Sequence, residues 1–177
     1  FKAAEKAGRH LAKQGVTFGL CVNQEQGNTA LDQRCDGFIK GLGGNGDVLA
    51  VTLDPTEIRN AIIAYLRQHP EVEAILTLGS TGAEPAVEAL SQYKNGNNGI
   101  RLATFDLSPR VLEEVKNGRI EFALDQQQFL QGYMPLVVLH NYTKFKLLPA
   151  ENILTGPNLI TKDKADEVVK LSKSGHR

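Results

Sequence analysis

Apolar residues in this chain fall into short unbroken runs, separated by stretches in which they recur every three or four positions. The unbroken runs predict strands at residues 16–23, 48–53, 72–78, 100–106 and 120–126, with a last short one near 152–154. The spaced pattern predicts helices over residues 2–14, 29–42, 84–93 and 129–142, and a final surface helix over 161–173. Two more helices are announced by their ends. Asp54-Pro55 opens one, with Asp54 suited to the N-cap and Pro55 to the first turn. Its residues Ile58, Ile62, Tyr65 and Leu66 make one apolar face before His69-Pro70 ends it. Ser108-Pro109 opens the other, which runs to Asn117-Gly118. Gly43-Gly44-Asn45-Gly46 and Asn95-Gly96-Asn97-Asn98-Gly99 are strong breaks, and Gly79-Ser80-Thr81-Gly82 reads as a turn.

Strands alternating with helices imply right-handed βαβ units and a parallel sheet. Neighbouring strand residues are both apolar (Leu20-Cys21-Val22, Ile75-Leu76), as they must be when helices cover both faces. The expected fold class is therefore α/β, a three-layer parallel sheet with helices on both sides.

Composition narrows the function classes. At 177 residues the chain fits one large domain, or one lobe with appended pieces. With 41% hydrophobic and 23% charged residues it can bury an ordinary core, which disfavours disorder. Twenty basic residues balance twenty acidic ones, so no chain-wide positive field favours nucleic acid as the partner. No apolar run approaches the roughly 20 residues that span a bilayer. The chain starts at Phe1 with no visible signal peptide and enters a helix directly, so a fragment of a longer protein is expected. Cys21 and Cys35 lack metal-ligand spacing. They bridge if the chain is exported; otherwise they are two small buried hydrophobes.

Ligands of open parallel sheets bind beyond the carboxyl ends of the strands. That rule selects residues 23–28, Leu53-Asp54, Gly79-Ser80-Thr81, Asp106-Leu107-Ser108 and Gln126-Gln127-Gln128. Carboxylates, amides and hydroxyls gather there, and Arg34 adds a guanidinium; such a set suits a polyhydroxy guest. Asp106 ends an apolar strand and competes with Ser108 for the cap of the next helix, while Arg34 taken alone reads first as a surface salt-bridge partner of Asp32 or Asp36. Catalytic groups are scarce. His10, His69, His140 and His176 sit on helices or the tail, the glycine turn lacks the Lys of a phosphate loop, and no cluster suggests a metal or cofactor.

These segments resemble type I periplasmic sugar-binding proteins of ABC transporters, in the branch of ribose- and galactose-binding proteins. Ala7-Gly8-Arg9-His10-Leu11-Ala12 resembles the helix after that family's first interlobe crossing, and His69-Pro70-Glu71-Val72-Glu73-Ala74-Ile75 its helix-to-strand passage. Asp32-Gln33-Arg34-Cys35-Asp36-Gly37-Phe38 looks like its Arg-x-x-Gly-Phe element, and Ala103 to Pro109 its Gly-Phe-Asp element, with Thr104 in place of the usual Gly. Gly118-Arg119-Ile120 through Gln126 and Gly132 is similar to the stretch that leads into the other lobe.

The resemblance implies ligand contacts from Arg34, Asp106 and Gln126, with Asn28 where some relatives place a side chain on the sugar. Relatives usually carry Asn-Asp where this chain has Gly79-Ser80, so Ser80 or the Gly79 backbone takes that place, or the ligand differs. It further implies three segments: 1–126 as the carboxy-terminal lobe, 127–153 as a helix and strand of the amino-terminal lobe, and 154–177 as a return segment. The expected function is a non-catalytic periplasmic receptor, monomeric when full length, that closes on a small sugar or polyol for ABC permease subunits. The effector-binding core of a LacI-type regulator is the alternative, and a sugar-processing enzyme is a further rival.

Overall fold

The computed structural model describes residues 1–96 and 99–174; Asn97 and Asn98 of the expected break, and His176, lie outside the described residues. In chain order the elements are α1 (Lys2–Ala12), β1 (Gly19–Asn23), α2 (Thr29–Gly41), β2 (Gly46–Ala50), α3 (Pro55–Gln68), β3 (Ala74–Thr77) and α4 (Ser80–Gln92). A 3-10 turn (Tyr93–Gly96) follows, then β4 (Arg101–Phe105), α5 (Pro109–Lys116), β5 (Phe122–Asp125), α6 (Gln128–Phe145), β6 (Asn158–Thr161) and α7 (Lys162–Lys173). The sheet order is β2-β1-β3-β4-β5-β6. β1 to β5 run parallel, and β6 returns antiparallel against β5 with Ile160 opposite Ala123.

Alternation along each strand builds two cores. Leu20, Val22, Ile75, Leu102 and Ala123 face α3, α4 and α5, where they meet Ile58, Ile62, Leu66, Ala86 and Val111. Cys21, Leu76, Ala103, Phe105 and Phe122 point the other way, to Leu11, Cys35 and Phe38 of α1 and α2. These helices nearly touch. A β-carbon on Gly8 would lie 2.3 Å from Phe38 O, so only glycine fits there. Cys21 and Cys35, both buried, are joined in a disulfide between β1 and α2, with Cα atoms 5.4 Å apart.

The expected parallel sheet with helices on both faces is present in β1 to β5, and β6 adds an antiparallel edge strand. Other expectations need correction. The strand expected near residues 152–154 does not form. Among the described residues that stretch takes no strand pairing, and the β5 edge pairs with Asn158–Thr161 instead. β2 starts earlier and stops at Ala50, since its partner β1 ends at Asn23. Residues 80–82 belong to the first turn of α4 rather than to a separate turn. The final helix is amphipathic, burying Ala165 and Val168 beside α5. By contrast α6 buries no residue, and Phe129, Tyr133, Leu136, Leu139 and Phe145 stand exposed on it. No helix among the described residues is long and apolar enough to cross a membrane.

Candidate functional site

The carboxyl ends of β3, β4 and β5 lie side by side, and the start of α2 reaches over them. Ser108 settles one rivalry: its Oγ accepts the Val111 N–H at 3.0 Å and caps α5. Asp106 is thereby left outside the helix. Its N–H donates to Leu124 O at 3.0 Å across the strand tips, and its φ is +66°.

Arg34 lies in the second turn of α2. One nitrogen, Nη1, donates to Leu78 O at 3.0 Å, and Nη2 donates to Gln126 Oε1 at 3.2 Å. The guanidinium is stacked 4.2 Å from the centre of the Phe105 ring. Asp32, the rival partner for it, instead accepts from Asn23 Nδ2 at 2.8 Å. Burial pulls the Arg34 pKa below its ordinary value and the Asp106 charge pushes it back up; the group remains a cation. From Gln126 the row continues, because its Nε2 donates to Asp106 Oδ1. Gln128 Nε2 donates to the same oxygen at 3.2 Å. Arg34, Gln126 and Asp106 thus form one connected polar row above the sheet.

Gly79 adjoins that row: a β-carbon built on it would stand 3.8 Å from Asp106 Oδ2. Thr104 lies beneath, with its hydroxyl 3.3 Å from Gly79 O and 2.7 Å from the buried hydroxyl of Thr77. Ser80 begins α4 beside it. Asn28 is differently employed. Its Oδ1 accepts the Ala30 N–H at 3.1 Å as the cap of α2, and its Nδ2 donates to Glu25 at 2.9 Å. No hydrogen bond among the described residues ties Asn28 to the row.

Gln24 and Gln128 are among the strand-tip residues selected above, whereas Phe105 was not singled out as a contact. Phe105 supports Arg34, Gln128 shares Asp106, and Gln24 reaches the Gly79 corner, its Nε2 being 3.6 Å from the same β-carbon position. Gln24 is the first residue beyond β1, a strand-tip signal in itself. Elsewhere, His10 packs edge-on to Phe122, and His69 pairs with Glu71 at 3.0 Å while stacking on Tyr65. Among the described residues no group of three His, Cys, Asp or Glu could hold a metal ion. A guanidinium, a carboxylate and two amides that bond to one another offer mixed donors and acceptors, which suits hydroxyl groups.

Residues 1–147 match the family described as periplasmic binding protein domain. The chain belongs to that family. Among solved structures it is similar to a carbohydrate transporter from Acidothermus cellulolyticus in complex with myo-inositol. Identity there is 31% and the TM-score 0.85, covering 99% of this chain and 61% of the other. It is also similar to a periplasmic sugar-binding protein of an ABC sugar transporter from Legionella pneumophila, at 25% identity and TM-score 0.74, over 87% of this chain and 59% of that one. A curated relative, a xylose/arabinose-binding protein from Sulfolobus acidocaldarius, is 28% identical over 142 residues. That match covers 76% of this chain and 35% of the relative. This binding-protein chain therefore spans about a third of the curated relative and about three-fifths of the solved ones. The relatives named here are themselves carbohydrate-transport or sugar-binding proteins.

Proposed function

We propose that this chain provides most of one lobe of an ABC importer's receptor, which binds a small neutral sugar or polyol between two hinged lobes and performs no chemistry on it. The observation that carries the reading is the connected row Arg34–Gln126–Asp106 at adjoining strand tips. Gly79, Ser80 and Asn28 border the same end of the sheet and complete the proposed contacts. Residues 1–126 form the carboxy-terminal lobe, 127–153 lie in the amino-terminal lobe, and 154–177 return. The bare apolar surface of α6 supports that division, since a helix apolar on every side needs cover all round. Ligand bridging the lobes favours the closed form, which the permease subunits of the membrane recognise. The working protein is monomeric and extracytoplasmic. A buried Cys21–Cys35 disulfide favours that compartment over the reducing cytosol of a transcription regulator.

The test is calorimetric titration of the full-length protein with neutral sugars and polyols. Asp106→Ala should weaken the bound one by about 1–3 kcal/mol, because guest hydroxyls lose a charged acceptor. Unchanged affinity removes Asp106 from the site. Silence from every neutral sugar and polyol with the unaltered protein ends the receptor reading.

A further inference from the structure

The start of α2 is held less firmly than its end. In the second half, a β-carbon on Gly37 would lie 2.3 Å from Phe1 O and one on Gly41 2.4 Å from Glu5 O, so that part of the helix is pressed against α1. Phe38 in the same half is fully buried. Among residues 29–34, by contrast, only Leu31 is buried. The Asn28 cap is a bond within this segment and fastens nothing to the sheet. Two side-chain ties do reach the sheet, both at β1. Asn23 Nδ2 donates to Asp32 Oδ1 at 2.8 Å, and Cys21 is bonded to Cys35. On α2 they fall at residues 32 and 35, so they bracket Arg34.

Arg34 is the member of the polar row most exposed to any looseness there. Asp106 and Gln126 follow β4 and β5, inner strands that are paired on both sides. Arg34 comes from a helix beside β1 and reaches across the strand tips to Leu78 O and Gln126 Oε1. A long side chain carries a tilt of its helix out to its tip. The guanidinium presents its donors in a rigid fork, so a shift beyond about 0.5 Å weakens both bonds at once. A covalent tie at the tightly packed end of α2 would add little. This one lies next to Arg34, at the lightly packed end.

We propose that the Cys21–Cys35 disulfide and the Asn23–Asp32 hydrogen bond are positioning elements for Arg34, setting the affinity of the receptor as well as the stability of the chain. The inference rests on the receptor reading above and adds residues that never touch the guest. Such ties raise affinity by removing freedom that binding would otherwise have to freeze.

The full-length protein is titrated with D-xylose, D-ribose, D-galactose and myo-inositol well below its unfolding temperature, and the tightest binder serves as the probe. Cys21→Ala with Cys35→Ala should weaken it by roughly tenfold. Asp32→Ala leaves the cross-link and the core in place, so it folds even where the cysteine pair proves fragile; it should weaken the probe by about threefold. In an Arg34→Ala background each change should alter the remaining affinity by less than about twofold, because the ties act through the guanidinium. Unchanged affinity in the folded variants overturns the proposal. So does the same loss with and without Arg34, which marks a purely structural bond. Hydrogen exchange without any guest is the second measure. Removing the disulfide should speed exchange at residues 31–35 by roughly tenfold and at residues 37–41 by less than about threefold. A uniform acceleration, or none, overturns the proposal as well. If no probe binds the unaltered protein, the receptor reading fails and the claim on affinity falls with it; binding that neither variant disturbs removes the positioning role alone.

Discussion

The inner strands and helix α6 are both rich in apolar side chains, and they end in opposite surroundings. Every residue of β1, β3 and β5 is buried, because helices close both faces of the sheet. No residue of α6 is buried, and the segment after it leaves Leu147, Leu148, Ile153 and Leu154 open as well. Apolar composition states a need for burial; it does not say which part of the protein meets it. The inner strands meet theirs from the helices on both faces, with β6 and α7 closing the β5 side. In the proposed division α6 depends on the remainder of the other lobe.

Substitutions on the two sides of this contrast should differ in size. The largest effect is expected for Phe122→Ala, which removes a fully buried ring and should cost about 3–5 kcal/mol in denaturant unfolding. A loss of well under half that would mean the core is looser than its burial implies. Next comes the double replacement Cys21→Ala with Cys35→Ala. These residues lie 14 apart in sequence, and losing the cross-link should cost about 3 kcal/mol, read as an earlier urea midpoint. Ser108→Ala removes the N-cap of α5 and should cost about 1 kcal/mol, visible in the same assay. The smallest effect belongs to Leu136→Ala on α6, within about 0.5 kcal/mol in this 177-residue chain. In the full-length protein the same change should rise to about 2 kcal/mol or more as the other lobe covers it. Equal small effects in both settings would break the proposed division.

The layered fold was legible because its signals are local: apolar runs, the caps at Asp54 and Ser108, and glycine breaks. Strand β6 was not. Asn158–Thr161 is short and largely half-exposed, while Ile153-Leu154 nearby looked more strand-like; only the route of the chain decides which of them reaches the β5 edge. At the site, strand-tip placement and the family resemblance singled out Arg34, Asp106 and Gln126, and the three are linked. The stacking of Arg34 in α2 on Phe105 in β4, and the reach of Gln24 to Gly79, join residues far apart in the chain, which no spacing encodes. The Cys21–Cys35 bond was undecidable for the same reason, since it depends on α2 lying against β1.

The left-handed φ of Asp106 has a consequence for anyone who substitutes it. Most residues with a β-carbon resist that twist by roughly 1–2 kcal/mol, while Asp and Asn tolerate it best. Alanine there deletes an anion and also burdens the main chain, so lost affinity and lost stability would arrive together and be hard to tell apart. Asparagine keeps the twist and the outline while it removes the charge and turns one acceptor oxygen into an N–H donor. Comparing the two exchanges would separate what the carboxylate does for a guest from what it does for the fold.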